Sequence, residues 1–164
     1  VTGVQTCALP ISLAALFENL RAAVFENPPV DKVAGRAIAK RGYSERVEVV
    51  AGDMFVDALP KGFDAHLISN VLHDWGEEDV RKILRASHAA LEAGGLLIIH
   101  DAYINADKTG PLPVAAYSAL LMHSTPGKCY STAEMQGFLD ELGYKNLQYQ
   151  PTAADRGVVT AIKS

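Results

Sequence analysis

The sequence predicts a doubly wound α/β fold in which a mostly parallel sheet ends in an antiparallel pair of strands. Short apolar, β-branched runs alternate along the chain with stretches whose apolar residues recur at helical spacing. The runs are almost continuously apolar, which is typical of strands buried on both faces. The last two runs follow each other with only a turn between them. Strands joined through helices pair in parallel with the helices on both faces, whereas the final two pair as a hairpin.

Length and composition predict one globular domain. The chain has 164 residues, of which 49% are hydrophobic and 21% charged. Its net charge is −4 and no run of Lys and Arg exceeds two residues, which argues against a nucleic-acid partner. No apolar run approaches the roughly 20 residues that span a bilayer, so no membrane partner is expected. Two cysteines, Cys7 and Cys129, cannot form a disulfide framework, which favours a cytoplasmic protein.

The first eleven residues differ in character from the rest. Val1–Ile11 has neither the basic start of a signal peptide nor a periodicity that continues into the following residues. This string resembles the translation of a sequencing-library adapter. We therefore expect residues 1–11 to be a non-native segment and residues 12–164 to be a truncated catalytic domain.

Local patterns predict the first three elements. Arg21–Phe25 is a mainly apolar run closed by Glu26, which indicates a short buried strand. The turn Asn27-Pro28-Pro29 predicts the start of a helix and Arg41-Gly42 predicts its end. The apolar residues between them share one helical face: Val30, Val33, Ala34, Ala37 and Ile38. The β-branched run Val47–Ala51 predicts the next strand.

The clearest helix is predicted over Glu77–Glu92, which has acids at its start, an apolar stripe, and Gly94-Gly95 behind it. Apolar runs on either side predict strands over Phe63–Leu72 and Leu96–His100. Two further helices and then two strands complete the pattern, in the order Pro113–His123, Thr132–Leu142, Asn146–Gln150 and Val158–Ile162.

Four polar side chains directly follow predicted strands, where ligands bind in open α/β sheets: Glu26, Asp53, His73 and Asp101. Glu26 can accept hydrogen bonds from ribose hydroxyls, and Asp53 from an adenine amine with Met54 against the ring. A solvated Glu26 and a loop-capping Asp53 are the alternatives. Two acids after consecutive strands favour a nucleoside pocket, a geometry that nicotinamide and S-adenosylmethionine sites share.

His73 is the candidate general base, because a strand-end imidazole can abstract a proton near neutral pH. Asp101 ends the next strand and can orient the ring if the two strands are neighbours. His66, His88 and His100 lie inside elements, where structural roles are expected, and His123 is ambiguous. The sequence contains no H-x-x-x-H or C-x-x-C pair, so no metal site is predicted.

The tracts FENPPV, GDMF, SNVLHDWGEEDVRKIL, GGLLIIHDAYI and GKCYSTAEM…LGY resemble, in this order, small-molecule O-methyltransferases of the caffeate and acetylserotonin type, especially bacterial members. The resemblance implies the class I, Rossmann-like catalytic domain and S-adenosylmethionine as cofactor. It assigns the ribose to Glu26 and the base to His73. The full cofactor-binding set is then Glu26, Asp53, Met54, Phe55 and Ser69, and the substrate set is Trp75, Tyr117, Met122 and His123.

The resemblance also implies departures from the family pattern. Asp101 falls on the first carboxylate partner of the base, usually Glu, and Cys129 falls on the second, where a thiol cannot replace a carboxylate. A buried, inert thiol is expected there rather than a nucleophile. The family's first strand, glycine-rich loop and N-terminal dimerisation domain would all precede Leu13. We therefore expect this chain alone to be poorly folded or to expose unpaired strand edges, and the full-length protein to be a homodimer.

The implied reaction is methyl transfer to a phenolic or enolic hydroxyl of a small molecule, after His73 removes its proton. Two alternatives remain. A nicotinamide-dependent oxidoreductase of the short-chain type would need Tyr followed four residues later by Lys, and none of the six tyrosines has this spacing. A non-catalytic relative could keep the fold for binding alone, and the departure at Cys129 leaves room for it.

Overall fold

A computed structural model describes residues 8–164 and confirms the predicted α/β class. The chain divides into two compact units, one ending at Pro60 and the other spanning Lys61–Ser164. The elements are, in order, α1 (Ala8–Leu16), β1 (Ala22–Glu26), α2 (Val30–Lys40), β2 (Val47–Ala51), β3 (Ala65–Ser69), a 3-10 turn (Leu72–Asp74), α3 (Glu77–Ala90), β4 (Leu96–Asp101), α4 (Leu112–Ser124), α5 (Thr132–Glu141), β5 (Tyr144–Pro151) and β6 (Gly157–Lys163).

The first unit is built on the parallel pair β1 and β2, whose register runs from Ala22 opposite Val47 to Glu26 opposite Ala51. Both α1 and α2 contribute to its core, which comprises Ile11, Ala14, Val24, Ala34, Ile38 and Val47. Helix α1 begins inside the string that sequence analysis set aside, and Ile11 is only 6% exposed. Residues 1–7 lie outside the described residues, so the boundary at Ile11 stays a prediction.

The second unit holds a four-stranded sheet in the order β3-β4-β6-β5. Strands β3 and β4, which α3 connects, run parallel, whereas β6 runs antiparallel to both β4 and β5. The predicted antiparallel C-terminal pair is therefore confirmed. Strand β6 inserts between its hairpin partner and β4, which carries the end of the chain into the middle of the sheet.

The strands form two sheets rather than the single one that sequence analysis expected. Among the described residues, β1 pairs only with β2, and β3 has β4 as its sole neighbour. A sheet continues from one strand to the next only where the two strands are hydrogen-bonded. Among the described strands, none is hydrogen-bonded to both β1 and β3. Both strands thus keep one unpaired edge, as predicted.

Local sequence explains the helix boundaries. Glu77, Glu78 and Asp79 fill the first turn of α3, where carboxylates interact favourably with the helix dipole. Helix α5 begins with a capping box, in which Ser131 accepts from the Glu134 N–H at 3.2 Å and the Glu134 carboxylate accepts from the Ser131 N–H at 2.7 Å. Of the helices within residues 8–164, none combines the length and apolar character that a membrane crossing requires.

Candidate active site

His73 stands at the carboxyl end of β3, in the 3-10 turn that interrupts the chain before α3. The turn is anchored by Leu72, which is 1% exposed, and His73 itself is only 5% exposed. Asn70, directly after the strand, has a φ of 53° and donates its backbone N–H to the carbonyl of His100 at 2.9 Å. The turn therefore starts from a left-handed residue that redirects the chain while still tied to β4.

Asp101 orients the His73 ring. It is the last residue of β4, and the parallel pairing of β3 with β4 brings both strand ends to one edge of the sheet. The Asp101 Oδ1 lies 2.5 Å from His73 Nδ1 and also accepts the backbone N–H of Ala102 at 2.8 Å. Because an ionised carboxylate only accepts, Nδ1 carries the hydrogen, which leaves Nε2 of a neutral ring with its lone pair free to accept a proton.

Tyr117 of α4 lies on the other side of the ring. Its hydroxyl is 3.0 Å from His73 Nε2, and the two rings meet edge to face with centroids 5.4 Å apart. Burial raises the pKa of Tyr117, the charges of Asp74 and Asp101 add to this, and Arg156 opposes it. The phenol therefore keeps its proton at neutral pH, and its O–H donates a hydrogen bond to Nε2. The structure thus already holds a phenolic hydroxyl against the candidate base.

Cys129 is buried beside this arrangement. It is 1% exposed and packs with Ala102, Ile104, Val114 and Leu121. Its backbone N–H donates to the Ser118 hydroxyl at 3.0 Å. Burial, together with the nearby charge of Asp101, raises the pKa of the thiol to about 11. A neutral thiol thus stands where the resemblance implied a second carboxylate, in agreement with the expected inert cysteine.

Gly127 packs directly on the backbone of the turn that carries His73. A Cβ atom at this position would lie 2.1 Å from the His73 carbonyl oxygen and 2.6 Å from the Trp75 nitrogen. The Gly127 N–H donates to the Thr125 hydroxyl at 3.1 Å, and the Tyr130 hydroxyl donates to the Trp75 carbonyl at 2.7 Å. Residues 125–130 therefore form a strap across the turn, held closest at the one residue without a side chain. Sequence reasoning quoted this glycine in the GKCYS tract without assigning it a role.

The two histidines inside strands have hydroxyl partners, as expected, and the helical His88 packs edge to face on Tyr144 with ring centroids 4.9 Å apart. His66 Nδ1 lies 2.9 Å from the Ser87 hydroxyl, and burial, helped by Lys163, lowers the pKa of its ring. His100 Nδ1 lies 3.0 Å from the hydroxyl of Ser69, which also accepts from Asn70 at 3.2 Å. Ser69 is thus engaged inside its own sheet, and its cofactor role stays a prediction.

The structure brings only part of the predicted substrate set to the base. Tyr117 contacts His73, and half-buried Trp75 ends the same turn. Met122 is 68% exposed and His123 is also exposed. At about 100° per residue, these two positions lie roughly 120–140° around the helix from Tyr117. Their substrate roles stay predictions, without a contact at the base to support them.

The predicted nucleoside-binding acids lie in the first unit, at the carboxyl ends of β1 and β2. Glu26 accepts the Asn27 N–H at 3.0 Å through Oε1. Asp53 accepts the Phe55 N–H at 2.8 Å, which is the loop-capping role that sequence analysis left open. Met54 and Phe55 follow in the same turn, both half-buried. Parallel pairing therefore places both acids at one sheet edge, as the strand-end argument predicted.

No group of three or more His, Cys, Asp or Glu side chains within residues 8–164 is arranged to hold a metal ion. The catalytic candidates that the structure brings together are one oriented imidazole, its carboxylate partner and the hydroxyl that faces Nε2.

Comparison with known proteins identifies the family of this chain. The family described as O-methyltransferase domain matches residues 3–145. The 3-hydroxy-5-methyl-1-naphthoate 3-O-methyltransferase of Streptomyces sahachiroi is 35% identical over 94% of this chain and 45% of its own length. An O-methyltransferase family 2 protein of Planctomyces limnophilus, solved with apigenin, is 34% identical with a TM-score of 0.89, over 94% of this chain and 46% of that one.

The human N-acetylserotonin methyltransferase, solved with S-adenosylmethionine, has a TM-score of 0.89 at 25% identity, over 98% of this chain and 46% of that one. The chain thus spans about half the length of the relatives it matches. The family match covers most of the sequence, and the two solved relatives share its fold, each with a TM-score of 0.89. The chain belongs to the O-methyltransferase domain family.

Proposed function

We propose that the full-length protein is an S-adenosylmethionine-dependent O-methyltransferase in which His73 deprotonates the hydroxyl of a small phenolic or enolic acceptor. The observation that carries the proposal is that Asp101 and Tyr117 contact the two different nitrogens of the His73 imidazole. Nδ1 is bound to the carboxylate at 2.5 Å, and Nε2 accepts a phenolic hydroxyl at 3.0 Å. The ring is thus held in the tautomer that a general base needs.

In this proposal the acceptor hydroxyl takes the place of the Tyr117 hydroxyl on Nε2. The proton moves to Nε2, and the buried Asp101 carboxylate stabilises the imidazolium that forms. The acceptor oxygen becomes the nucleophile. The neutral Cys129 thiol adds no second negative charge, so a single carboxylate supports the base.

The methyl donor is assigned to the strand-end acids of the first unit. Glu26 is proposed to bind the ribose, and Asp53 with Met54 and Phe55 the adenine. The carboxylate of Asp53 already accepts one N–H, but a carboxylate has about four acceptor positions. Asp53 can therefore also accept a hydrogen bond from the adenine amine. When bound, S-adenosylmethionine supplies a methyl group on a positively charged sulfur. The complex of the human relative with this molecule supports the assignment.

We further propose that the full-length protein is a cytoplasmic homodimer formed through a domain outside this chain. Exposed apolar side chains on helix α4 support a surface that a partner covers, because Leu112, Leu120 and Met122 are 80%, 62% and 68% exposed. Family membership removes the support for a nicotinamide-dependent oxidoreductase. A non-catalytic role remains as an outcome of the test below.

Replacing His73 by Ala in the full-length protein tests the proposal. Turnover of a phenolic acceptor should fall about 1,000-fold or more, since general base catalysis contributes 10²–10⁴-fold, while the affinity for S-adenosylmethionine stays within about twofold. His88→Ala is the matched control and should change turnover by less than about tenfold, because this histidine lies within α3 and packs on Tyr144, away from the base. Unchanged turnover in His73→Ala would remove His73 from the mechanism, and absence of turnover in the unmodified protein would favour the non-catalytic role.

A further inference from the structure

Arg156 reaches the edge of the sheet where the base lies. It directly precedes Gly157, which pairs with Asp101 in the antiparallel register of β4 and β6. Its guanidinium carbon lies 5.1 Å from the ring centre of Tyr117, whose hydroxyl is 3.0 Å from His73 Nε2. One tyrosine ring therefore separates this cation from the nitrogen that is proposed to receive the acceptor's proton.

The charge of Arg156 has no anionic partner in the part of the chain that the structure describes. Four other cations of this unit contact carboxylates: Arg81 with Glu141, Lys82 with Asp79, Lys108 with Glu134, and Lys128 with Glu77. Arg156 instead donates from Nε to the neutral side chain of Asn70 at 3.1 Å. Its two Nη groups remain for a planar, two-oxygen partner, which is the geometry that a guanidinium matches best.

Asn70 holds the guanidinium in a fixed orientation. Its Nδ2 donates to the Ser69 hydroxyl at 3.2 Å, which turns Oδ1 toward Arg156. Its backbone, with a φ of 53°, is tied to His100 of β4. The turn that carries Arg156 is closed by the Thr152 N–H, which donates to the Arg156 carbonyl at 2.8 Å. A side chain braced at both ends loses little additional freedom when it binds an anion.

We infer that Arg156 binds a carboxylate on the methyl acceptor, so that the favoured substrates are hydroxylated aromatic acids rather than neutral phenols. This inference rests on the proposed function, because it places the acceptor hydroxyl on His73 Nε2. The carboxylate of the methyl donor's amino-acid portion has the same chemistry. The contact of Arg156 with Tyr117, which marks the acceptor's position on the base, favours the acceptor as the source.

Two acceptors that differ only by the carboxylate test this in the full-length protein: 3-hydroxy-2-naphthoate and 2-naphthol. The dissociation constant of each is measured by fluorescence, and kcat/KM by methyl transfer. The unmodified protein should bind the acid at least about tenfold more tightly, the order expected for a charge-assisted two-oxygen contact. Arg156→Met should bring the ratio of the two affinities close to one.

Two further variants separate charge from structure. Asn70→Asp keeps a residue type that tolerates positive φ and adds a carboxylate beside the guanidinium, so the preference for the acid should fall several-fold. Arg85→Met removes the same charge from an exposed position of α3 and should keep the preference. Melting temperatures near that of the unmodified protein identify the variants that still fold.

The inference is overturned if the unmodified protein shows no preference, if neither naphthalene compound binds, or if the preference survives in Arg156→Met. A variant that loses affinity for S-adenosylmethionine while keeping the acceptor ratio would assign Arg156 to the donor and also overturn it. Arg156-dependent binding of the acid without methylation would support the inference while contradicting the proposed function. Methylation of both compounds without preference would do the reverse.

Discussion

The two compact units hold their candidate functional residues in different ways. In the first, the Glu26 and Asp53 carboxylates bond to backbone groups one and two residues away along the chain. In the second, the two nitrogens of His73 bond to Asp101 and Tyr117, 28 and 44 residues away. The proposed donor-binding acids are thus oriented by their own loops, whereas the base is oriented by tertiary structure. Changes around His73 should therefore act on catalysis, and changes in the first unit on donor affinity.

Replacement of Asp101 by Asn should have the largest effect after the loss of His73 itself, and a small effect would break the comparison. The amide keeps the size of the side chain but can donate to Nδ1, which favours the ring tautomer with the hydrogen on Nε2. We expect kcat in the full-length protein to fall about 100-fold or more, with the affinity for S-adenosylmethionine within about twofold. A fall in donor affinity with unchanged kcat would show that Asp101 does not act through His73.

Replacement of Glu26 by Gln tests the first unit. The ribose would lose a charged acceptor, so the dissociation constant for S-adenosylmethionine, measured by calorimetry on the full-length protein, should rise about tenfold while kcat at saturation stays within about threefold. Asp53→Asn is the matched comparison and should have a smaller effect, because this side chain also caps its loop. Equal losses in kcat for both variants would contradict the assignment of these acids to the donor.

The Glu134 carboxylate has both a local partner, Ser131, and more distant ones, Lys108 and Lys128. Its contribution to stability should therefore depend on pH. Burial opposes its ionisation, but contacts with Lys108, Ser131 and Lys128 outweigh this and lower its pKa to about 2. A lowered pKa stabilises the folded state above the unfolded value of about 4.5, and this contribution is lost as the pH falls from there toward 2. Glu134→Gln should cost on the order of 1–2 kcal/mol at pH 7, and less as the pH falls below about 4.5. Urea unfolding of both proteins across this range measures it, and a pH-independent difference would contradict the ionic origin.

Sequence patterns predicted the ends of the strands to within three residues because most of the strands are short apolar runs that break at polar or turn residues. The junction of β3 and β4 was also predictable, since consecutive parallel strands usually lie side by side and bring His73 to Asp101. Helix α1 was missed because its first four residues fall in the string judged non-native. The division into two sheets depends on which strands are hydrogen-bonded, and no local pattern reports this.

The remaining features of the site depend on contacts between distant segments. The sequence places Arg156 in the turn before the last strand and Asn70 within the SNVL tract, and it indicates no contact between them. Their contact joins the start of the second unit to its last hairpin, and it depends on β6 pairing with β4 rather than only with β5. Glycine can occupy a loop position such as 127 for several structural reasons, and only the folded chain shows which of them applies.

The approach of Gly127 to the His73 carbonyl also bears on how this domain can change over evolution. The contact is backbone against backbone, and the hydroxyls of Thr125 and Tyr130 hold the strap beside it. Lys128, whose ammonium contacts Glu77 and Glu134 rather than the turn, can then be exchanged at a cost in stability while the base keeps its place. Any side chain at position 127 itself would push the turn outward, so a saturation library should retain almost only glycine there, whereas the buried Cys129 should accept exchanges of similar size.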